Sequence, residues 1–166
     1  MQSLAKGHKI LAKGVDKSMD SQEIMDQGKS ENKKKYFILS ETNSYIREEN
    51  KLYLELAEGR VLLEFLTADI FRVVMGQRNN LDEASTPAII DHGLSYSDFT
   101  ITEEEDELIV ITDSLEIRID QAQFGLRVYD LEGNLINADY QRGALGWHQD
   151  EVKAWKSLSE QERFYG

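Results

Sequence analysis

The sequence predicts an all-β protein, an antiparallel β-sandwich with little helix. Leucines occupy alternate positions over 52–56, and Leu115, Ile117 and Ile119 alternate with charged residues. Because successive side chains of a strand point to opposite faces, this period of two puts each apolar set on one face of a sheet. Eight or nine short apolar segments of this kind follow one another between turn signals, without a long amphipathic helix. Such spacing is typical of an antiparallel sandwich.

The first predicted strands form a hairpin and a third strand beside it. Segments 52–56 and 61–65 flank Glu58-Gly59, a pair that favours a tight turn. Segment 70–75 is almost continuously apolar and predicts a buried strand. Segment 76–93 is long and polar and contains the only proline of the chain, so we expect an excursion between sheets there.

The later strands follow the same logic. Segments 99–101 and 108–111 flank an acidic stretch, and 126–129 leads through Glu132-Gly133-Asn134 into Leu135-Ile136. Segment 151–162 predicts either a short helix or an edge strand, since its apolar residues Val152, Trp155 and Leu158 are three positions apart.

Composition bounds the class of protein. The chain has 166 residues, enough for one domain with a proper core, and 31 acidic against 19 basic residues give a formal charge of −12. Nucleic acids and anionic membranes would repel such a chain, so neither is an expected partner. There is no cysteine, no apolar run near the roughly 20 residues that span a bilayer, and no apolar signal-peptide core. We expect a cytoplasmic location.

A change in charge divides the chain. Residues 1–35 carry eight lysines and five acids and no aromatic residue, whereas 36–166 carry 11 basic and 26 acidic residues. The first segment repeats Leu-Ala-Lys-Gly at 4–7 and 11–14, and its glycines oppose a helix. The interpretation is a flexible or weakly helical leader over 1–35, followed by a sandwich domain over 36–166; the alternative is a helix that docks on an acidic partner.

Residues that could carry chemistry are few. The histidines are His8, His92 and His148, too scattered for a metal site. Asp91-His92 and His148-Gln149-Asp150 could each orient an imidazole as a general base, but such pairs arise by chance in an acidic chain. No catalytic, cofactor-binding or metal-binding residue is therefore predicted, and no cofactor.

The acidic run 103–107 offers oxygen ligands of the type that calcium prefers. It lacks the interspersed turn residues and glycine of a calcium loop. A solvated hairpin tip that discourages edge pairing is the favoured interpretation.

The aromatic residues near the end of the chain allow two interpretations. Trp147 and Trp155, with Tyr140 and Tyr165, could form a platform on which a sugar ring stacks. Core packing, or burial against a partner surface, is the favoured one.

The final five residues resemble a family signature. Glu162-Arg163-Phe164-Tyr165-Gly166 is similar to the first half of the Glu-Arg-Phe-Tyr-Gly-Leu-Gly-Glu motif of glycoside hydrolase family 31, the α-glucosidase family. Segments 114–120, 124–136 and 70–73 resemble strands of the same N-terminal domain in order and spacing. The resemblance covers about 43–166.

The resemblance implies a galactose-mutarotase-like sandwich that precedes a catalytic barrel in a larger enzyme. In this family a retaining mechanism uses two aspartates on the barrel, with the nucleophile in a Trp-x-Asp-Met type of motif. No Asp-Met pair follows Trp147 or Trp155. The chain is thus expected to be an inactive, non-catalytic fragment whose partners are the barrel of the same parent chain and, in the whole enzyme, an α-glucoside or oligosaccharide.

Two other functions stay open. An aldose epimerase of the mutarotase type would need a histidine and a glutamate converging in the groove of a much larger sandwich. A stand-alone carbohydrate-binding or interaction module would need no catalytic residue. An exposed apolar surface near Trp147, Trp155 and Tyr165, masked in a homodimer of the fragment, is a further expectation.

Overall fold

The computed structural model describes residues 35–77, 81 and 93–158, and these contain thirteen β-strands and no helix. The strands are β1 (Phe37–Ile38), β2 (Thr42–Glu48), β3 (Lys51–Leu56), β4 (Gly59–Phe65), β5 (Phe71–Gln77), β6 (Thr100–Glu104), β7 (Glu107–Ile111), β8 (Leu115–Asp120), β9 (Gly125–Asp130), β10 (Leu135–Asp139), β11 (Leu145–His148), β12 (Glu151–Ala154) and β13 (Lys156–Ser157). The all-β prediction is confirmed. Four strands of two to four residues, β1, β11, β12 and β13, account for the excess over the predicted number.

The strands form three antiparallel sheets. One has four strands in the order β2-β3-β4-β5, and a larger one has six in the order β13-β10-β9-β8-β7-β6. A small third sheet has the order β1-β11-β12. Most neighbours within the two larger sheets are also consecutive in the chain, so short hairpins make the connections.

The core lies between the four-stranded and six-stranded sheets. Alternate side chains of β3 and β4 face alternate side chains of β7, β8 and β9 in one buried cluster, as the period of two predicts. Trp147, on β11 of the small sheet, and Leu39, which follows β1, belong to the same cluster. Its fully enclosed members include Leu52, Leu54, Val61, Leu63, Phe65, Leu108, Val110, Ile117, Ile119 and Phe124. Burial of one such side chain stabilises the fold by about 1.5–3 kcal/mol.

Polar contacts fasten the edges of the core. The β3–β4 hairpin turns at Ala57-Glu58, one residue before the predicted Glu58-Gly59, and the Glu58 carboxylate accepts hydrogen bonds from the main-chain N and the Oγ of Ser40 at 3.0 and 2.5 Å. Asn50 is buried, and its Nδ2 donates to the carbonyl of Phe65 at 2.9 Å. These bonds satisfy groups that would otherwise be buried without a partner.

Segment 70–75 differs from its prediction. It forms β5 as expected, but β5 is the last strand of the four-stranded sheet and is largely half-exposed rather than buried. Val73 pairs with Leu63 and shares its face, yet Val73 is 39% exposed while Leu63 is fully enclosed. A run of apolar residues predicts that a strand is hydrophobic, but it does not predict the position of that strand in the sheet. Because β5 is the last described strand of its sheet, its side chains are only partly covered.

The end of the described chain is strand rather than helix. Residues 151–158 contain β12 and β13, separated by Trp155, so the helical alternative is wrong for this part. The leader, most of the excursion at 76–93 and the terminal motif at 162–166 lie outside the described residues. Within the described ranges, no helix is long and apolar enough to cross a membrane.

Candidate functional site

His148 has a structural contact rather than a catalytic one. It ends β11, and its Nδ1 lies 2.8 Å from the carbonyl oxygen of Lys35. Because a carbonyl can only accept, Nδ1 carries a proton and donates it to the main chain. A general base would orient this nitrogen with a carboxylate. Gln149, in the turn that follows, has a φ of 54° and reverses the chain into β12. His8 and Asp91-His92 lie outside the described residues.

The acidic run 103–107 forms the hairpin tip between β6 and β7. The turn is made by Glu105-Asp106, with Glu105 at a φ of 53°. Glu107, at the start of β7, binds the guanidinium of Arg127 and lies 3.5 Å from Nη1 of Arg118. In the part of the chain that the structure describes, no group of three or more His, Asp or Glu side chains is arranged to hold a metal ion.

Tyr45, on β2, faces this acidic strand. Burial raises the pKa of its hydroxyl, and a hydrogen bond to Glu103 together with the negative charge of that carboxylate raises the pKa further. The phenol therefore stays protonated and acts as a donor to the carboxylate. This hydrogen bond connects β2 of one sheet to β6 of the other. Its role is structural.

Trp147 and Trp155 do not share a platform. Trp147 pairs with Phe37 and Val152, is buried, and stacks on Phe37 at 6.1 Å between ring centroids with 24° between the planes. Trp155 lies over Gly146 on the opposite face of the small sheet and meets Tyr36 edge to face at 5.6 Å. Core packing, the favoured interpretation, describes Trp147. Tyr165 lies outside the described residues.

The outer face of the small sheet carries an aromatic and basic cluster. Tyr36 contacts His148 at 5.8 Å and Trp155 at 5.6 Å between ring centroids, and the Lys153 ammonium lies 4.5 Å from the Tyr36 ring centre. Interaction with the Tyr36 hydroxyl, then with Glu151, raises the pKa of Lys153. The ammonium therefore stays charged over the aromatic face, a favourable cation–π arrangement.

Exposed apolar side chains surround the small sheet. Phe37 and Val152 are exposed on its two outer strands, and Tyr140, whose main-chain N–H donates to the carbonyl of Trp155, is exposed as well. Leu158, shortly after Trp155 in the chain, is also exposed. This is the region in which the sequence predicted an exposed apolar surface. Its centre differs from that prediction, because Trp147 itself points into the core.

A cleft of about 470 Å³ opens between the two large sheets on the side of β5. Phe71 and Val73 form one wall, and side chains of β8, β9 and β10 form the other. The polar groups at its margin are Asp69, Asn137 and Lys156. The apolar lining suits an apolar occupant, and it does not supply the converging carboxylates that glycosidic cleavage requires.

Three known proteins to which this chain is similar are enzymes much longer than the chain. The α-glucosidase 2 of Bacillus thermoamyloliquefaciens is 25% identical over 108 residues, which are 65% of this chain and 14% of that enzyme. A dextranase of Flavobacterium johnsoniae superposes with a TM-score of 0.68 and 20% identity over 75% of this chain and 16% of its own. The cycloalternan-forming enzyme of Listeria monocytogenes gives a TM-score of 0.56 and 18% identity over 66% of this chain and 10% of its own. The two solved structures share the fold.

A family model matches most of the described fold. The glycosyl hydrolase 31 N-terminal galactose mutarotase-like domain matches residues 60–166. β2 and β3 precede the matched segment but pair directly with it through β4, so the same sandwich includes them. The chain belongs to glycosyl hydrolase family 31 and contains the N-terminal galactose mutarotase-like domain of that family.

Proposed function

We propose that this chain is the non-catalytic N-terminal domain of an α-glucosidase-like retaining hydrolase, which cleaves terminal α-glucosidic bonds. The observation that carries the proposal is the match of residues 60–166 to the N-terminal domain of glycosyl hydrolase family 31. The chain spans only 14% of the α-glucosidase that it matches. In this proposal the catalytic barrel belongs to the part of the parent enzyme that this chain does not cover.

The carboxylates of the described sandwich support a non-catalytic role. Retention requires two carboxyl groups about 5 Å apart across the bond, one of them held protonated as an acid. Here Glu64 binds Arg72 and lies 3.9 Å from Lys51, and Glu107 is shared by two arginines. Both carboxylates are therefore engaged in ion pairs with side chains of their own sheets, and neither faces a partner carboxyl group across a site for a sugar. In this proposal both catalytic carboxylates belong to the barrel of the parent chain.

The domain's role in this proposal is to support the barrel. Phe37 and Val152, the two register partners of Trp147, are exposed and form an apolar surface suited to contact with another domain. Trp147 holds this surface on the core through its stacking with Phe37. In this proposal the small sheet, held on the core by Trp147, is the attachment point for the barrel.

A chromogenic α-glucoside tests the proposal. The 166-residue chain and the full-length parent enzyme are assayed side by side, and only the parent should release the chromophore. Turnover by the chain alone would refute the non-catalytic assignment. A parent that only interconverts aldose anomers would favour the epimerase instead. Saturable binding of maltose or isomaltose to the isolated chain, with an inactive parent, would favour the binding module.

A further inference from the structure

The outer face of the six-stranded sheet carries charged and aromatic side chains in one continuous surface. Core residues of β8 and β9 alternate with residues that point away from the core. Because register partners share a face, Arg118 on β8 lies directly opposite Arg127 on β9, and Glu116 lies opposite Tyr129 in the neighbouring row. We call these four residues the arginine face. Their hydrogen bonds and ion pairs all join residues that the structure describes.

Two arginines directly opposite each other destabilise a sheet unless other charges offset them. Glu107, on β7, supplies such a charge, because its carboxylate binds the guanidinium of Arg127 and lies 3.5 Å from Nη1 of Arg118. Nε of Arg118 also donates to Oε1 of Glu116 at 2.6 Å. Contacts among three neighbouring strands therefore fix the two guanidinium groups in place, which is the preorganisation that a binding site needs.

The arginine face offers donors and acceptors of hydrogen bonds beside an aromatic ring. The side chains of Arg118 and Arg127 are 37% and 36% exposed. Each guanidinium has several N–H donors, of which the ion pairs use only some. Tyr129 is half-buried, and Cζ of Arg118 lies 5.7 Å from its ring centre. The exposed hydroxyl of Thr102 on β6 extends the row of Arg118 through Ile109. A ligand on this surface therefore meets polar groups of both kinds next to a flat apolar one.

We propose that the arginine face binds a neutral oligosaccharide, with the Tyr129 ring against one face of a sugar ring. A sugar hydroxyl both donates and accepts, so neighbouring hydroxyls can accept from the guanidinium N–H groups and donate to the Glu116 carboxylate. The C–H groups of the sugar ring supply the apolar surface that an aromatic ring covers. Glu107 and Glu116 lie on the same side of a ring held in this way, whereas cleavage needs carboxyl groups that flank the bond. The arginine face therefore binds sugar without cleaving it, an activity beyond the support of the barrel proposed above.

The charges of this surface argue against two other kinds of ligand. Glu107 and Glu116 neutralise the two arginines, and the chain carries a formal charge of −12, so an anion is repelled. A protein partner would have to take these charged groups out of water, although charged residues are depleted from the centres of protein interfaces. A sugar leaves the ion pairs partly hydrated and replaces water only at their exposed donors.

Isothermal titration calorimetry of the 166-residue chain with maltotriose, isomaltotriose and cellotriose tests the proposal. We expect saturable binding of at least one of these sugars. Tyr129→Leu keeps an apolar side chain but removes the ring, and Arg118→Lys keeps the charge but removes the planar guanidinium. Each should weaken binding about tenfold or more, whereas Arg142→Lys, at an exposed arginine in the turn after β10, should change it less than about twofold.

Two-dimensional amide NMR spectra of the unaltered chain locate the bound sugar without any substitution. Main-chain amides of β8 and β9 should shift as sugar is added, while those of β3 and β4 should not. No saturable binding, shifts confined to other strands, or variants at Tyr129 and Arg118 that bind as the unaltered chain does would each overturn the proposal.

Sulfate serves as a competitor in the same titrations. Displacement of the sugar by sulfate would also overturn the proposal, because it would identify an anion site. Hydrolysis by the parent enzyme is a separate measurement. An active parent whose isolated chain binds no sugar would overturn this inference alone, and a chain that binds sugar within an inactive parent would overturn the proposed function alone.

Discussion

Asp139 offers a direct measurement of how the end of the six-stranded sheet is held. It is a buried carboxylate on β10, and its Oδ2 accepts a hydrogen bond from the main-chain N of Leu126 on β9 at 2.9 Å. Its Oδ1 binds Nζ of Lys156 on β13, and its carbonyl accepts from Oγ of Ser157 at 3.0 Å. One residue therefore connects three neighbouring strands.

The two side-chain contacts of Asp139 differ in how much they contribute to the free energy of unfolding. Replacement by alanine leaves the buried N–H of Leu126 without an acceptor, which costs about 1–3 kcal/mol. The side chain of Lys156 is 45% exposed, so its ammonium returns to water and the ion pair contributes no more than about 1 kcal/mol. We expect Asp139→Ala to lower the free energy of unfolding by about 1–3 kcal/mol, and Lys156→Met by less than about 1 kcal/mol. Asp139→Asn keeps an acceptor oxygen and should resemble Lys156→Met.

Urea unfolding at neutral pH, followed by tryptophan fluorescence and far-ultraviolet circular dichroism, measures the three variants. With slopes of about 1–3 kcal/mol per molar urea, the alanine variant should unfold at a clearly lower urea concentration, by the order of 1 M. Coincident transitions from both probes establish that a single free energy applies. An effect of Lys156→Met as large as that of Asp139→Ala would refute the reasoning, because the ion pair and not the buried N–H would then dominate.

Three further substitutions probe the small sheet, the start of β9 and the β9–β10 turn. Gly146→Ala places a Cβ 2.7 Å from the main-chain oxygen of Phe37, so we expect urea unfolding to show a loss of about 1–3 kcal/mol. Gly125→Ala, whose Cβ meets its neighbours at 3.7 Å or more, should change stability by less than about 1 kcal/mol, and equal effects of the two would contradict the steric account. Hydrogen bonds from the side chain and main chain of Asn134 lower the pKa of Asp130, so its contribution is complete above the ordinary aspartate pKa and is lost as the pH falls through the lowered value. Asp130→Asn should therefore lower the melting temperature at neutral pH and leave it equal to that of the wild type in strong acid. A difference in melting temperature that does not depend on pH would contradict a role for the ionised Asp130 carboxylate.

Local pattern was sufficient to predict the strands of the core. The alternation of leucines over 52–56 appears as buried and half-buried positions in β3, and the alternation from Leu115 to Ile119 appears likewise in β8. The acidic run became a hairpin tip, because the apolar segments on either side of it pair in register from Thr100↔Ile111 to Glu104↔Glu107. These features depend on neighbours only a few residues apart, which is the range that a sequence pattern reports.

The candidate sites were harder to predict, because they depend on which faces meet. Trp147 and Trp155 are eight positions apart, and only the turn at Gln149 and the irregular step at Trp155 put their rings on opposite faces of one small sheet. The contact of His148 with the carbonyl of Lys35 joins residues that are 113 positions apart. No spacing rule reaches such a pair.

The sequence by itself determined the all-β class, the core strands and, through the terminal Glu-Arg-Phe-Tyr-Gly motif, the family. Only the tertiary structure decided that β5 is the last of the described strands in its sheet, that three short strands form a separate sheet, and that a cleft opens beside β5. The physical reason is that the hydrophobic period of a strand predicts only which of its side chains are buried in a core. The order of strands in a sheet, and the place where one sheet outgrows the other, follow from pairings between distant segments that each compete for the same edges.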